Sequence, residues 1–247
     1  MRAALFDRFA GPLRVEQVAD PDCPRDGVVV AVAACGVCRS DWHGWRGADS
    51  LLPLPHVPGH EFAGVVEAVG PDCRGFAVGQ RVTAPFILGC GRCPDCLAGE
   101  PTVCASQEIL GFSAWGAFAE RLAVPRADYN LVAVPDALDL VEVAGMGCRV
   151  TTAYRALVER AALAPGEWLA VQGCGGVGLS AVAIAAALGA EVVAVDVNDE
   201  ALALARCLGA RHAVNPREAA DVGEAVRELT GGGAHVSLEA LGITETF

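Results

Sequence analysis

The sequence predicts an α/β fold in which a β-rich first domain precedes a second domain built on a doubly wound parallel sheet. Up to about residue 150, short β-rich runs are separated by Gly and Pro residues. Beyond that point, short apolar strands alternate with helices of about ten residues, which is typical of βαβ units. The chain has 247 residues, a length that fits one large domain or two medium ones.

Three runs in the first half have a strand-forming composition and predict strands at Val28–Ala33, Ala63–Ala68 and Arg81–Ala84. Two other segments of this half are expected to be irregular. Residues 53–59 contain three prolines, and residues 89–101 are rich in Cys and Gly. Both compositions are typical of loops.

The second half alternates between strands and helices along its length. Strands are predicted at Trp168–Gln172, Glu191–Val195 and Val236–Ala240. Helices are predicted at Tyr154–Ala161, Val177–Leu188, Asp199–Leu208 and Ala219–Leu229. Consecutive strand–helix–strand units of this kind form a parallel sheet with helices on both faces.

An uncharged run at residues 168–190 is long enough to span a bilayer. Four glycines lie within residues 173–178, next to Gln172. A strand, a tight turn and a buried helix explain this composition better than a transmembrane helix, which is the alternative interpretation. The N-terminal segment carries charges throughout and has no sustained apolar stretch, so no secretory signal is expected.

The charge of the chain disfavours several classes of partner. All 18 basic residues are Arg, 30 residues are acidic, and the net charge is −12 at pH 7. This balance disfavours nucleic acids and acidic membrane surfaces, whose binding needs positive charge. The 11 Cys residues are too few for a disulfide scaffold. We therefore expect a cytoplasmic protein in which clustered Cys residues bind metal.

Four cysteines form the pattern C-x2-C-x2-C-x7-C within one loop, namely Cys90, Cys93, Cys96 and Cys104. Four thiolates so close in sequence can surround one Zn²⁺ at about 2.3 Å from each sulfur. A closed four-thiolate site leaves no position for a substrate, so its role is expected to be structural. The alternatives are unliganded cysteines and an iron–sulfur cluster, which the long last spacing and the lack of a following Pro disfavour.

A glycine-rich motif follows the predicted strand at residues 168–172 and opens the next helix. It has the form G-x-G-x-x-G and comprises Gly173, Cys174, Gly175, Gly176, Val177 and Gly178. Its glycines allow the backbone to approach a pyrophosphate at the helix N-terminus. Asp196 lies 21 residues after Gly175 and can accept both adenosine-ribose hydroxyls, but would repel a 2′-phosphate. The motif predicts a Rossmann domain that prefers NAD(H) to NADP(H), with a turn in an unrelated α/β fold as the alternative.

Other candidate residues are dispersed along the chain. Cys38, His60 and Cys148 are possible ligands, but Cys is often a buried small hydrophobe and His60 can be a satisfied core residue. Spacing alone cannot link the three residues, because they are separated by up to 110 positions. Cys174 lies near a helix N-terminus, a position that can lower the pKa of a thiol, but we interpret it as a packing residue without reactivity.

The segments CGVCRSDWH, VPGHEFAGVV, GCRVTTAY and GCGGVG occur in this order, together with the four-Cys loop. On these motifs the sequence resembles the zinc-dependent medium-chain alcohol dehydrogenases over its whole length. The resemblance implies a GroES-like catalytic domain at residues 1–152, with a structural-zinc lobe at about 88–105, and an NAD-binding Rossmann domain at residues 153–247. Because chains of this family are longer, it also implies a Rossmann sheet that is incomplete at its C-terminus.

The resemblance joins the dispersed residues into one site. Cys38, His60 and Cys148 match the ligands of a catalytic Zn²⁺, in addition to the structural Zn²⁺ of the four-Cys loop. Glu61 matches an acid that can enter the zinc coordination sphere. Asp41 matches a carboxylate that orients the ligand His60.

Two residues match a proton relay in this family, namely Ser40 and His43, with His43 near the surface. Each of the auxiliary residues also has an ordinary alternative. Ser40 can be a loop hydroxyl, Asp41 a local turn acceptor and His43 a solvated surface residue.

The remaining matches concern the cofactor and the substrate. Arg39 matches a residue that pairs with the cofactor pyrophosphate, and Thr152 one that packs near the nicotinamide. Trp45 and Phe86 fall where the family lines its substrate pocket. Many members carry a Lys five residues after the ribose-binding acid, where this chain has Ala201, so one cationic ribose contact is expected to be lost.

The implied activity is the reversible, NAD-dependent oxidation of an alcohol to an aldehyde or ketone, with Zn²⁺ as the Lewis acid. A polyol, threonine or formaldehyde dehydrogenase on the same scaffold is an alternative. Another is a zinc- and nucleotide-binding fragment without turnover. The expected partner is a small-molecule alcohol or aldehyde, and the complete protein is expected to be a homodimer or homotetramer.

Overall fold

The structure is a computed structural model that describes residues 1–48 and 52–246. The contacts between Cα atoms divide the chain into two compact units, Met1–Cys148 and Arg149–Phe247. This division lies four residues before the predicted boundary between residues 152 and 153. The last residue of the predicted second domain, Phe247, lies outside the described residues.

The first unit is mainly β. Its strands are β1 (Arg2–Leu5), β2 (Arg14–Gln17), β3 (Val28–Gly36), β4 (Glu61–Val69), β5 (Arg81–Thr83), β6 (Ile87–Leu88), β7 (Glu108–Ile109), β8 (Arg121–Val124) and β9 (Val132–Ala133). Its helices are α1 (Arg39–Trp45), α2 (Pro94–Leu97), α3 (Ala127–Asn130) and α4 (Leu140–Gly145), with a 3-10 turn at Pro101–Val103. The predicted β-rich character of this half is confirmed.

Five antiparallel strands form the main sheet of this unit, in the order β8-β3-β4-β5-β9. Its core contains Val28, Val30, Phe62, Val66 and Leu88, all of which are fully or almost fully buried. The three predicted strands are confirmed, and β3 and β4 extend beyond the predicted bounds because their pairing continues to the end of β3. The last pair joins Gly36 to Glu61, so the segments that carry Cys38 and His60 leave the sheet at the same place.

The four-Cys loop begins and ends at two short strands that pair with each other. Strands β6 and β7 pair with each other, with Leu88 opposite Glu108. The chain therefore leaves and re-enters the unit at adjacent positions, and residues 89–107 form a separate lobe.

The second unit contains a parallel sheet of four strands. Its strands are β10 (Trp168–Gln172), β11 (Glu191–Val195), β12 (His212–Val214) and β13 (Val236–Glu239). Its helices are α5 (Cys148–Tyr154), α6 (Gly176–Ala187), α7 (Asp199–Cys207) and α8 (Val222–Thr230), with a π-helical turn at Arg155–Arg160 and a 3-10 turn at Thr244–Thr246. The first of these helices begins at Cys148, the last residue of the first unit.

The order of the parallel strands is β12-β11-β10-β13. Helices α6 and α7 pack on one face of the sheet, where Leu169 and Val192 are fully buried. Helix α8 packs on the other face through Val226, against Val193. The sheet is doubly wound, as predicted, and the strand order reverses beside β10, which is where ligands bind in folds of this kind.

The uncharged run at residues 168–190 forms strand β10, a turn and helix α6, as the sequence predicts. Helix α6 has 12 residues and buries Ala181, Val182 and Ala185 completely, which explains its apolar composition. Within residues 1–48 and 52–246, the helices are too short or too polar to cross a membrane.

Three details of the second unit differ from the prediction. The helix predicted at Tyr154–Ala161 begins earlier, as α5 at Cys148, and residues 155–160 form a π-helical turn. Strand β12 was not predicted, because it has three residues and forms the edge of the sheet. Helix α8 begins at Val222 and not at Ala219, because the Asp221 side chain accepts a hydrogen bond from Glu224 N at 2.8 Å and so caps the helix.

Candidate metal centres and nucleotide loop

Three of the dispersed candidates lie together in the first unit. The ligand atoms of Cys38, His60 and Cys148, here called the Cys2His group, all lie within 4.8 Å of one another. Cys38 precedes helix α1, His60 precedes strand β4, and Cys148 begins helix α5. Cys38 and His60 are buried, so these donors are largely removed from water.

Asp41 connects two members of this group from the first turn of helix α1. Its Oδ1 atom accepts hydrogen bonds from His60 Nδ1 and from the backbone N–H of Gly59, each at 3.0 Å. Its Oδ2 atom accepts one from the backbone N–H of Cys38 at 2.9 Å. Because a carboxylate only accepts, Nδ1 of His60 donates to Asp41, and Nε2 is the nitrogen that offers a lone pair when the ring is neutral.

The buried Nε2 atom of His60 tests whether the group fits a metal ion. His60 Nε2 is buried and has no hydrogen-bond partner among the described residues. Such an atom normally costs free energy unless it has a partner. Two sulfur donors and one imidazole nitrogen within 4.8 Å form a donor set that Zn²⁺ prefers, with one position left open. The residues therefore fit a zinc site of the open, catalytic type.

The electrostatics of the group favour the metal-binding form of cysteine. The nearby Cys148 side chain, followed by those of His60 and Ser40, lowers the pKa of Cys38 to about 3 in spite of burial. Burial acts most strongly on His60 and disfavours its charged form, but the hydrogen bond with Asp41, the nearby Cys38 sulfur and the negative charges of both outweigh burial and raise the pKa of His60 to about 9. A metal ion at Nε2 would therefore displace a proton at neutral pH. Cys38 is thus a thiolate at neutral pH, which is the form that binds metals.

Ser40 and His43 lie on helix α1, beside this group. The Ser40 hydroxyl oxygen is 3.6 Å from Cys38 Sγ. His43 is exposed, and its ring contacts that of Trp42 edge to face at a centroid distance of 5.0 Å. Because residues three apart share one helix face, Ser40 and His43 lie on the same side of α1.

Glu61 is completely buried at the start of strand β4, next to the ligand His60. Within the described part of the chain, the group of side chains close enough to hold the metal consists of Cys38, His60 and Cys148 and does not include Glu61. The structure thus places Glu61 beside the metal ligands in the chain but outside the ligand set.

Two aromatic rings lie near His60. The ring centroid of Phe86, a predicted pocket residue, is 6.3 Å from that of His60. The ring of Phe112 is closer, at 5.4 Å, and was not predicted. It follows a turn at Gly111, and the sequence carries no signal that would have distinguished it from other aromatic residues. Trp45, the other predicted pocket residue, donates a hydrogen bond from Nε1 to the carbonyl of Gly11 at 2.6 Å.

The four cysteines of the lobe also form one compact group, here called the four-cysteine group. Their Sγ atoms all lie within 4.8 Å of one another, with Cys90 and Cys96 at 4.0 Å and Cys93 and Cys104 at 3.8 Å. A tetrahedral site with Zn–S bonds of about 2.3 Å separates the sulfur atoms by about 3.8 Å. The spacing of the four-cysteine group therefore fits a structural zinc ion.

Backbone N–H groups stabilise negative charge on these sulfurs. The N–H of Cys93 donates to Cys90 Sγ at 3.3 Å, and the N–H of Cys96 donates to Cys93 Sγ at 3.4 Å. Hydrogen bonds from the backbone of Arg92 and Cys93 lower the pKa of Cys90 to about 6. At Cys93 the backbone hydrogen bond from Cys96 acts in the same direction, but burial and the neighbouring cysteine side chains outweigh it and raise the pKa to about 12. The backbone bonds therefore favour a thiolate at Cys90, which can bind a metal ion.

Helix α3 fastens the lobe to the rest of the first unit. The buried Asn130 side chain accepts from Gly89 N at 2.9 Å and donates to Gly89 O at 3.1 Å. Arg126 donates to the same carbonyl at 3.0 Å and forms an ion pair with Glu108 at 2.9 Å. Tyr129 Oη donates to Cys96 O at 3.0 Å.

In the second unit, the glycines of the G-x-G-x-x-G motif differ in backbone conformation and in the space around them. Gly173 has a φ of +96°, a conformation that favours glycine. A Cβ atom on Gly178 would lie 1.8 Å from the carbonyl oxygen of Gly173, so only glycine permits this close approach. A Cβ atom on Gly175 would meet nothing within 4 Å in the protein. Gly176 and Val177 begin helix α6, so the loop exposes backbone N–H groups at a helix N-terminus.

Asp196 follows strand β11 and is held against this loop. Its Oδ2 atom accepts from Cys174 N at 2.7 Å, and its Oδ1 atom accepts from Asn198 N at 2.8 Å. Ala201 lies in the first turn of helix α7 and packs against the core of the unit. The predicted ribose-binding acid is therefore adjacent to the predicted phosphate loop.

The interpretation of Cys174 as an unreactive packing residue agrees with the structure, and the helix N-terminus does not lower the pKa of its thiol. Burial, and then the negative charge of Asp196, raise the pKa of Cys174 to about 11. Cys174 is also almost completely buried, at 3% exposure. The cost of burying a thiolate outweighs the effect of the helix N-terminus, so this cysteine is a packing residue.

Two predicted cofactor contacts are exposed within their own units. Arg39 lies on helix α1 with its guanidinium 5.5 Å from the ring centroid of Trp42. Thr152 lies on helix α5 and is exposed. Both side chains are accessible to a ligand.

Each half of the chain matches the model of a known protein family. Residues 24–136 match the family model described as "Alcohol dehydrogenase GroES-like domain". Residues 176–247 match the one described as "Zinc-binding dehydrogenase".

Curated relatives match over most of this chain. An alcohol dehydrogenase of Geobacillus stearothermophilus is 43% identical over 234 residues, which are 94% of this chain and 68% of the relative. An alcohol dehydrogenase of Moraxella sp. (strain TAE123) is 36% identical over 96% of this chain and 70% of the relative.

Solved structures share the fold as well. Alcohol dehydrogenase TADH from Thermus sp. ATN1 superimposes with a TM-score of 0.92 at 35% identity, over 100% of this chain and 72% of that one. A structure described as an NAD-dependent alcohol dehydrogenase gives a TM-score of 0.87 at 37% identity, over 95% of this chain and 69% of that one.

Proposed function

Because the chain belongs to the zinc-dependent medium-chain alcohol dehydrogenase family, we propose that it oxidises an alcohol reversibly to an aldehyde or ketone with NAD⁺. Its fold combines a GroES-like domain with part of a Rossmann sheet. The single observation that carries the proposal is the buried Cys2His group, in which His60 Nε2 has no hydrogen-bond partner among the described residues.

Cys38 Sγ, His60 Nε2 and Cys148 Sγ would hold the catalytic Zn²⁺. When bound, the ion supplies a Lewis acid that lowers the pKa of an alcohol hydroxyl. Asp41 holds His60 in the tautomer that leaves Nε2 free, and it fixes the backbone of Cys38 at the same time. Phe86 and Phe112 provide apolar surface beside His60 that would help to exclude water.

We assign release of the alcohol proton to helix α1. The hydroxyl of Ser40 lies beside the ligand Cys38, where it can accept a hydrogen bond from the alcohol. His43 lies on the same side of the helix and is exposed, so it can pass a proton to water. Under this proposal, the entry and the exit of the proton path would lie on one short helix.

The second unit would bind the nucleotide. The loop around Gly175 is open to a pyrophosphate, and its N–H groups lie at the N-terminus of helix α6. The Asp196 carboxylate can accept the two ribose hydroxyls and repels a 2′-phosphate, which supports NAD(H) over NADP(H). When bound, NAD⁺ supplies the hydride acceptor. Arg39 offers a positive charge to the pyrophosphate, and we assign Thr152 to the nicotinamide end.

Metal analysis of Cys148→Ser tests this proposal. The native chain is expected to contain two Zn²⁺ ions, one in each group, and the variant one, with loss of alcohol oxidation. Cys207→Ser is the matched control, because Cys207 is exposed and belongs to neither group. Turnover and zinc content that remain unchanged in Cys148→Ser would contradict the assignment.

A further inference from the structure

Two glycines surround the buried side chain of Glu61. Gly36 is paired with Glu61 across strands β3 and β4, and a Cβ atom on Gly36 would lie 2.5 Å from Glu61 Oε2. A Cβ atom on Gly147 would lie 2.7 Å from both Cβ and Cγ of Glu61. Real Cβ contacts are essentially never this short, so a side chain at either position would displace Glu61. We call the space between Gly36 and Gly147 the glycine slot.

Backbone conformation does not explain these glycines. Neither Gly36 nor Gly147 has a φ in the left-handed region, so an L-residue could adopt either conformation. Glycine in a strand is usually unfavourable relative to alanine. Close approach of Glu61 is therefore the physical reason for glycine at both positions.

The glycine slot lies within two residues of each metal ligand in sequence. Gly147 precedes Cys148, Gly36 is two residues before Cys38, and Glu61 follows His60. Glu61 is nevertheless outside the Cys2His group itself. An acid at this place would compete for the open metal position if its carboxylate could move freely, since carboxylates are good zinc ligands.

We propose that Gly36 and Gly147 are positioning residues that seat the Glu61 carboxylate beside the metal ligands, so that the fourth position stays open for the alcohol. This inference rests on the proposed metal site. It assigns a role to two residues without side chains, which act only through Glu61.

Cobalt-substituted protein tests the slot without relying on turnover. The d–d absorption of Co²⁺ reports the coordination geometry, and subtraction of the Cys148→Ser spectrum removes the contribution of the four-cysteine group. Gly36→Ala forces the carboxylate to move toward the open metal position, so we expect a shifted d–d spectrum and, because the carboxylate adds a fourth protein ligand, a Co²⁺ affinity raised about tenfold in chelator competition. An unchanged spectrum and affinity would overturn the proposal.

Gly145→Ala is the matched control. Gly145 is the last residue of helix α4, has no positive φ, and a Cβ atom there would meet nothing within 4 Å. The same chemical change is therefore expected to leave the Co²⁺ spectrum and affinity as in the native protein. An equal effect of both substitutions would show that the slot has no special role.

A double variant shows whether Gly36 acts through the carboxylate. In the Glu61→Ala background the Oε2 atom is gone, while the contacts of a Gly36→Ala methyl at 3.1 Å to the Cβ of residue 61 and at 3.3 Å to Ala144 O remain. Adding Gly36→Ala to Glu61→Ala should therefore change neither spectrum nor affinity. An effect as large as in the native background would assign Gly36 to the backbone and overturn the proposal.

Folding and metal uptake separate the remaining outcomes. If Gly36→Ala does not fold, recovery of folding in Gly36→Ala/Glu61→Ala supports the slot, and failure of both variants overturns it. If the native protein binds no Co²⁺ at the Cys2His group, the proposed function itself fails. Binding by the native protein with no effect of Gly36→Ala contradicts the slot alone.

Discussion

Replacement of Asp41 by Asn measures how strongly the buried carboxylate supports the Cys2His group. Asp41 accepts three hydrogen bonds, from His60 Nδ1 and Gly59 N at 3.0 Å and from Cys38 N at 2.9 Å. An Asn side chain can keep its oxygen toward His60, but its amide N–H groups then face the N–H of Cys38. The substitution therefore removes the charge and leaves a buried donor without an acceptor.

The size of the effect follows from these contacts. Hydrogen bonds to a charged group contribute about 1.5–3 kcal/mol each, and a buried donor left unsatisfied costs about 1–3 kcal/mol. Part of this cost reduces the stability of the fold, and the part that loosens both ligands reduces metal binding. Since about 1.4 kcal/mol is a tenfold change, we expect zinc affinity at this group to fall about 10- to 100-fold.

Competition with a chromophoric zinc chelator is the assay, with the four-cysteine group as an internal reference. Asp128→Asn is the matched control, because Asp128 also accepts three hydrogen bonds, from Arg74 N at 2.9 Å, Gly75 N at 2.7 Å and Cys73 Sγ at 3.0 Å. It contacts neither Cys38 nor His60 through these bonds. Equal zinc affinities for Asp41→Asn and the native protein would refute the reasoning.

Three further outcomes are expected. Asp196→Gly should relax the preference for NAD⁺, and an unchanged ratio of kcat/KM for NAD⁺ and NADP⁺ would count against the role of Asp196. Cys104→Ser should lose the zinc of the four-cysteine group but keep the other ion, with a lower Tm; loss of both ions would show that the sites are coupled. Because the pKa of Cys174 is raised to about 11, its thiol stays protonated below that pH. Iodoacetamide at pH 8 should therefore label the exposed Cys23 and Cys207 but spare Cys174, as mass spectrometry can verify.

The order of elements could be predicted where the pattern is long. Strands β10 and β11 and helix α6 have strong apolar runs, and their predicted bounds agree with the structure to within a residue. Strand β12 could not be predicted, because three residues at a sheet edge form a strand only through pairing with β11. Short strands depend on their partners more than on their own composition.

The two candidate metal sites also differ in how far the sequence alone could predict them. The four cysteines of the lobe are close in sequence, so their spacing alone indicates a metal site. Cys38 and Cys148 are 110 positions apart. The strand pairing that ends at Gly36 and Glu61 brings Cys38 and His60 together, and helix α4, which packs against Ala63 of β4 and precedes Cys148, positions the third ligand. No local pattern encodes that pairing.

Three details of the site could not be predicted without the three-dimensional structure. The pKa of Cys174 depends on its burial and on Asp196, which a helix N-terminus alone does not reveal. Phe112 approaches His60 through a turn whose direction is not evident from its residues. The glycines of the slot look like ordinary loop and strand glycines until Glu61 is placed between them.

Because the two ends of the lobe are paired, its sequence and length can change without altering the main sheet. Since Leu88 and Glu108 are opposite each other in strands β6 and β7, residues 89–107 begin and end at one place. An insertion or a deletion in the lobe would leave the connectivity of the main sheet intact. Replacement of the whole lobe by a tight hairpin turn would do so as well. Mutation can thus remodel the lobe without altering the main sheet or the Cys2His group, provided that new partners replace the hydrogen bonds that Arg126, Tyr129 and Asn130 make to the lobe.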